Sequence, residues 1–268
     1  MPLAWLTGKK LKKLKDKLAI NMVFSKENAR HENYLARLLT EMLDDPYLAH
    51  QAFFKGGTCA RWLGILDRFS VDLDFDLSPE ADPVEADRRL GVIFKQVGLE
   101  VKDASHRELQ YFLKYPAPDH ERNTLKLDLL TQTYRHNKYH PVFLPIVQRT
   151  AICQTPETMF AHKLVAPIDR YRRHQSIAGR DIYDIHQFFM RQMGYSEEII
   201  KERTGISAQE HLSALRDFID QKISQQKLDE DLNTLLEAEV FSRIRKHLKR
   251  ETLRFIEGEM ARLANQKP

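Results

Sequence analysis

Between residues 70 and 77 the chain reads SVDLDFDL, a strict alternation. Val71, Leu73, Phe75 and Leu77 fall on one face; Ser70, Asp72, Asp74 and Asp76 fall on the other. A period of two predicts a strand with one face packed on a core. Upstream, residues 26–46 set Tyr34, Leu35, Leu38, Leu39 and Met42 near helical spacing, with Pro46 as the stop. The apolar run Ala52-Phe53-Phe54 ends at Gly56-Gly57, and residues 58–66 read as a helical turn or two. Asp82-Pro83 opens a helix over 83–97 that Gly98 closes. Residues 99–133 read as two or three strands, KLDLLTQ (126–132) being the clearest.

From Thr155-Pro156, a capping hydroxyl and a first-turn proline, the pattern becomes helical. Gly179 and Gly194 bracket a short helix, and residues 208–223 and 231–265 supply two more, the last long and amphipathic. The expected class is α+β: a small mixed sheet with flanking helices over residues 1–150, then an α-helical domain over 151–268. There is no internal repeat.

Composition narrows the function classes. Of 268 residues, 42% are hydrophobic and 30% charged, which is enough apolar surface for a core and excludes wholesale disorder. No apolar run approaches the ~18 residues of a membrane span. Cys59 and Cys153 have no close partners in sequence, which excludes a disulfide framework and a CxxC zinc site. The N-terminal lysines follow a short apolar piece rather than precede it, unlike a signal peptide, so a cytoplasmic location is expected.

The net charge of +4 is unevenly spread. Residues 1–17 hold six lysines against Asp16. A second cluster, Lys163, Arg170, Arg172, Arg173 and Arg180, faces only Asp169; a third, Arg243, Arg245, Lys246, Lys249, Arg250 and Arg254, faces only Glu251. Each alone reads equally as a solvated helix face, but three together suit a polyanion such as RNA. The N-terminal run reads either as an RNA-binding arm or as a solvated helix, with the arm slightly favoured.

Aspartate is depleted in strands, and like charges on one strand face repel. Held by an apolar opposite face, Asp72 and Asp74 converge as hard oxygen ligands of the kind Mg²⁺ takes, with Mn²⁺ as an alternative. Leu127-Asp128-Leu129 offers a third carboxylate from a neighbouring strand. Three such groups form a minimal cage for two ions. Gly56-Gly57-Thr58 is a turn whose backbone N–H groups can approach a phosphate, with a hydroxyl added. Ser70 shares the carboxylate face, either touching a triphosphate or bonding backbone. His136 and His140 are separated from any helical register by Pro141, and no GxSxG elbow occurs.

Gly57-Thr58, thirteen residues, Asp72-Leu73-Asp74 and a later hydrophobic-Asp-hydrophobic strand resemble the signature of DNA polymerase β-type nucleotidyltransferases. More narrowly, FFKGGTCARWLGILDRFSVDLDFDL resembles the core of the AbiEii/AbiGii family of nucleotidyltransferase toxins. Two further motifs of that family are present in order, Lys163-Leu-Val-Ala166-Pro-Ile-Asp-Arg170 and Arg180-Asp181-Ile-Tyr-Asp184. The resemblance spans residues 25–190. Cys59 departs from the small alanine or serine more usual there, and Pro167 is expected to kink its helix.

The resemblance implies a nucleotidyltransferase fold followed by a helical bundle. It implies a Mg²⁺-dependent enzyme, the toxin of a bacterial toxin–antitoxin or phage-defence pair, with a cognate antitoxin encoded nearby. Such an enzyme transfers NMP from an NTP to an acceptor, here expected to be the tRNA 3′ end. Asp72, Asp74 and Asp128 then hold metal, and Asp128 helps activate the attacking hydroxyl. Lys163 is a point charge on phosphate, Arg170 a phosphate clamp, and Asp184 orients Lys163 or accepts a proton. Gly56, Gly57, Thr58, Ser70, Arg180 and Asp181 complete the nucleotide site. Structural ion pairing stays open as the other reading of Arg180, Asp181 and Asp184. The rival functions are an antibiotic-type nucleotidyltransferase acting on a small molecule, and a catalytically silent nucleic-acid or partner-binding module.

Overall fold

Helix α1 (Lys26–Asp44) buries Leu35, Leu38, Leu39 and Met42 along one face, as their spacing predicts. It opens the described part of the chain, residues 26–105 and 108–265 of a computed structural model. The N-terminal lysine run lies outside the described residues. Pro46 stops α1 but also starts α2 (Pro46–Gln51), where Asp45 caps two backbone N–H groups and the proline occupies the first turn.

The chain continues through β1 (Ala52–Lys55), α3 (Gly56–Trp62), β2 (Asp72–Leu77) and α4 (Pro83–Val97). Then come β3 (Glu100–Ser105), β4 (Gln110–Lys114), β5 (Thr124–Leu130), β6 (Tyr139–Leu144) and β7 (Arg149–Gln154). One mixed sheet results, in the order β3-β4-β5-β2-β1-β7-β6. β2 lies at its middle, parallel to β5 and antiparallel to β1. Its Leu73, Phe75 and Leu77 are buried with Phe54 of β1 and Leu125, Leu127 and Leu129 of β5. Alternation on two adjacent strands therefore builds one apolar layer and leaves the aspartates on the other face.

The β6–β7 hairpin is absent from the sequence reading. Pro141 sits on β6, an edge strand, where a missing N–H is tolerated, and the polar residues around it hide the period of two. The expected junction at residue 150 falls inside β7, and the change from sheet to helix comes at Thr155, which caps α5 (Pro156–His174) through the Thr158 N–H. α5 runs as one helix through Pro167.

α6 (Gly179–Met190), α7 (Glu197–Thr204), α8 (Ala208–Lys222), α9 (Gln225–Leu232), α10 (Ala238–Ile244) and α11 (Leu248–Ala264) follow. They pack around Leu164, Ile182, Ile185, Phe188, Leu212, Leu215, Leu248 and Ile256. A mixed sheet with flanking helices, then a helical bundle, is the expected α+β class. The single long helix expected over 231–265 is instead broken after Leu232 and again after Ile244. Two tertiary bonds hold the first break: Asp231 Oδ2 accepts from Gly179 N (2.6 Å), and Leu235 O accepts from Phe69 N (2.8 Å). Among the described residues no helix is long and apolar enough to cross a membrane.

His31 joins α1 to this sheet. Its Nε2 donates to Val71 O (2.9 Å) and its Nδ1 lies 2.7 Å from the Tyr115 hydroxyl. Burial lowers it from 6.5 to about 4, with the Val71 bond opposing. A depressed histidine stabilises the fold fully above pH 6.5, and that stability is lost as pH falls toward 4. The loss is on the order of 3 kcal/mol. His162, lowered to about 3, and His211 act in the same direction. Urea unfolding at pH 7 and pH 4.5 should show this loss, with a smaller pH difference in His31→Gln.

Candidate active site

β1 delivers Lys55 to a turn in which Gly56 adopts φ +79°, a conformation costly for other residues. The turn also lies too close to β2 for side chains. A Cβ at Gly56 would overlap the Asp74 carboxylate; one at Gly57 would stand 2.8 Å from Ser70 Oγ and 3.0 Å from Arg68 Nη2. Thr58 is buried, and its hydroxyl donates to Asp72 O at 2.5 Å. The expected phosphate contact by that hydroxyl is therefore replaced by a tie between α3 and β2. Cys59 is buried beneath the turn, and both cysteines are free thiols.

The sheet register aligns the carboxylates. Asp74 lies opposite Lys55 on β1 and Asp128 on β5, and Asp72 opposite Lys126. Burial raises Asp72, with Arg180 and Lys126 opposing. Burial and then the like charge of Asp72 push Asp74 up to about 6, with Lys55 pulling the other way. Two neighbouring carboxyls raised together are a feature of sites built to bind or react rather than to stabilise a fold.

Asp128 accepts from Gln110 Nε2 (2.8 Å) and pairs with Lys126. Turned to these partners, it does not close a cage: among the described residues no group of three His, Cys, Asp or Glu side chains stands ready to hold a metal ion. The donor set that does fit a hard divalent cation is the Asp72–Asp74 pair, because one or two carboxylates completed by substrate phosphates suffice. Asp76, next on the same strand face, belongs elsewhere. It is 1% exposed and accepts from Lys55 Nζ (2.5 Å), Tyr139 Oη (2.7 Å), Gln154 Nε2 (2.9 Å) and Asn137 Nδ2 (3.2 Å).

The helical half brings cations. Lys163 of α5 pairs with Asp184 of α6 at 2.7 Å. Asp184 is fully buried and also receives Arg68 Nε (2.6 Å) and Nη2 (2.8 Å). Burial pushes its carboxyl up, but Arg68 and Lys163 overcome this and hold it at about 2. A carboxylate held between two cations in this way is well placed to orient Lys163 and poorly suited to accepting a proton.

Arg170 Nε meets Asp181 Oδ2 at 2.9 Å, joining α5 to α6. The guanidinium expected as a phosphate clamp and the acid expected at the nucleotide face each other, the structural alternative for Asp181. Arg180, in the first turn of α6, acts on Asp72. Arg68, Lys55 and Gln110 were not singled out from sequence. Lys55 carried a signal, standing directly before the glycine pair; Arg68, in an irregular segment, carried none.

Residues 37–261 match the family model described as "Nucleotidyl transferase AbiEii toxin, Type IV TA system". No curated protein matches. Among solved structures, the chain is similar to a candidate nucleotidyltransferase from H. pylori, with TM-score 0.60 and 20% identity over 91% of this chain and 100% of that one. It is also similar to JHP933 from Helicobacter pylori, with TM-score 0.56 and 21% identity over 91% of this chain and 96% of that one. These likenesses show the fold.

Gly56→Ala tests the close approach of the turn. Gly98→Ala is the control, since Gly98 has φ +76° and no atom within 4 Å of an added Cβ. The control should cost roughly 1 kcal/mol of backbone strain, and Gly56→Ala more, because the collision with Asp74 is added. Thermal melts of both variants separate the two contributions.

Proposed function

The chain belongs to the AbiEii family of nucleotidyltransferase toxins, and we propose that it moves a nucleoside monophosphate from an NTP onto the 3′ end of a tRNA, releasing pyrophosphate. It is a nucleotidyltransferase, and its type IV toxin–antitoxin family implies an antitoxin partner. The observation that carries the finer reading is the Asp72–Asp74 pair, with Asp74 pressed against the Gly56 turn and both carboxyls raised.

The family uses divalent metal, which we read as two Mg²⁺ ions that Asp72 and Asp74 would hold together with substrate oxygens. When bound, the metal supplies charge neutralisation and Lewis acidity at the reacting oxygens. Lys163 meets a nucleotide phosphate, and the Gly56-Gly57 backbone approaches the triphosphate beside Ser70. Asp128, oriented by Gln110 and Lys126, takes the proton of the attacking hydroxyl. That oxygen bonds the α-phosphorus as the bond to pyrophosphate breaks. Such a displacement asks for positioning and charge more than covalent chemistry.

Arg180, Lys126 and Arg122 all act on Asp72, which supports a polyanionic acceptor over a cationic small molecule. An RNA acceptor and NTP supply agree with a cytoplasmic setting. We divide the chain at Thr155, with the nucleotidyltransferase unit before it and the helical unit after.

The test incubates the protein with Mg²⁺, tRNA and each NTP in turn, labelled at the α-phosphate. Label should appear on tRNA with at least one NTP, and Asp72→Ala or Asp74→Ala should lower it at least on the order of a hundredfold. Label on a protein, or none on RNA, would overturn the tRNA reading.

A further inference from the structure

We propose that Arg68 is a positioning residue that sets the charge presented to the nucleotide: by neutralising Asp184 it leaves Lys163 with an uncompensated positive charge. This rests on the reading of Lys163 as a phosphate contact. Asp184 is one carboxylate between two cations, a fork from Arg68 and a single bond from Lys163. The cluster carries a net charge of +1. An Asp184–Lys163 pair by itself would be neutral and would attract a triphosphate far less.

The three groups differ in their access to water. Arg68 is 4% exposed, and its remaining Nη1 donates to Phe69 O at 3.0 Å. Asp184 is fully buried, whereas the Lys163 side chain keeps 18% of its surface. The surplus charge is therefore expressed at Lys163. Arg68 also lies directly under the turn, its Nη2 being what an added Gly57 Cβ would meet at 3.0 Å. A planar guanidinium can hold both carboxylate oxygens and never loses its proton, which suits a permanent counter-charge; a lysine supplies the charge without the fork.

The experiment measures binding of inorganic tripolyphosphate, a probe with no base, and of each NTP to the full chain with Mg²⁺. Arg68→Gln should weaken tripolyphosphate binding on the order of tenfold. The double variant Arg68→Gln/Asp184→Asn removes one charge of each sign, restores the net +1 at Lys163, and should recover most of the binding. A merely structural role predicts the reverse, with the double variant as weak as the single or weaker, and that result overturns the proposal. Should Arg68→Gln fail to fold, Arg68→Lys decides. It keeps the charge and loses the fork, so it should melt lower yet bind within about threefold of the parent. Loss of binding in a folded Arg68→Lys overturns the proposal. Lys163→Gln separates the two readings. Unchanged binding there removes the phosphate role of Lys163 itself; weakened binding there with unchanged binding in Arg68→Gln removes only the role of Arg68.

Discussion

Two carboxylates held side by side on one central strand set the terms for the rest of the molecule. Asp72 and Asp74 share a face of β2, where like charges repel and where half-burial makes the repulsion stronger. Local preference opposes such a strand. Its other face carries Leu73, Phe75 and Leu77, all buried, which together contribute roughly 5–9 kcal/mol relative to exposure. Packing on one side thus holds an unfavourable charge pattern on the other. The strain shows in protonation, with Asp74 raised to about 6 by burial and then by its neighbour. Lys55, from the sheet, and Lys163, from α5, offset part of it. A divalent cation at this face would relieve the repulsion that the lysines leave.

Asp76 shows the same alternation continuing under cover. Four donors converge on it, and one of them is Lys55. From Asn137 the network passes to His162 Nε2 (2.7 Å), from His162 Nδ1 to Arg203 (2.9 Å), and from Arg203 to Asp169 (3.0 Å). It therefore runs from the centre of the sheet to α5 and α7. A buried carboxylate with every partner in place carries no unpaired charge, and satisfied networks of this kind are rigid. Asp76 acts on the site indirectly, by fixing the lysine that faces Asp74.

Elements whose signals were local were legible in the sequence. β2 had a clean period of two with unlike faces; α4 had Asp82 at one end and Gly98, at φ +76°, at the other; α5 began at a hydroxyl and a proline. The carboxylates Asp72, Asp74 and Asp128 were legible because acids on strands are conspicuous. Signals that depend on distant partners were not. The amphipathic spacing over 231–265 persists through two breaks, the first of them held by bonds to Gly179 and Phe69. Arg68 is defined by a partner 116 positions away. Thr58 and Arg170 had the right chemistry for phosphate, yet each is engaged by a group that spacing alone does not reveal.

Those long-range bonds converge on one short segment. Residues 67–70 join α3 to β2 without regular structure, so their polar groups need partners from elsewhere. The helical half supplies them: Tyr183 Oη donates to Asp67 Oδ1 (2.5 Å), Asp184 receives Arg68, and Leu235 O receives Phe69 N. The break after Leu232 is what carries Leu235 to that position. The segment in turn places Ser70 against the turn and leads into Asp72. Separated from its bundle, the sheet would keep its carboxylates, but Arg68 would lose its counter-charge and Phe69 N its acceptor. The change from sheet to helix at Thr155 is thus one of layer and chain order, while the candidate site draws residues from both sides of it.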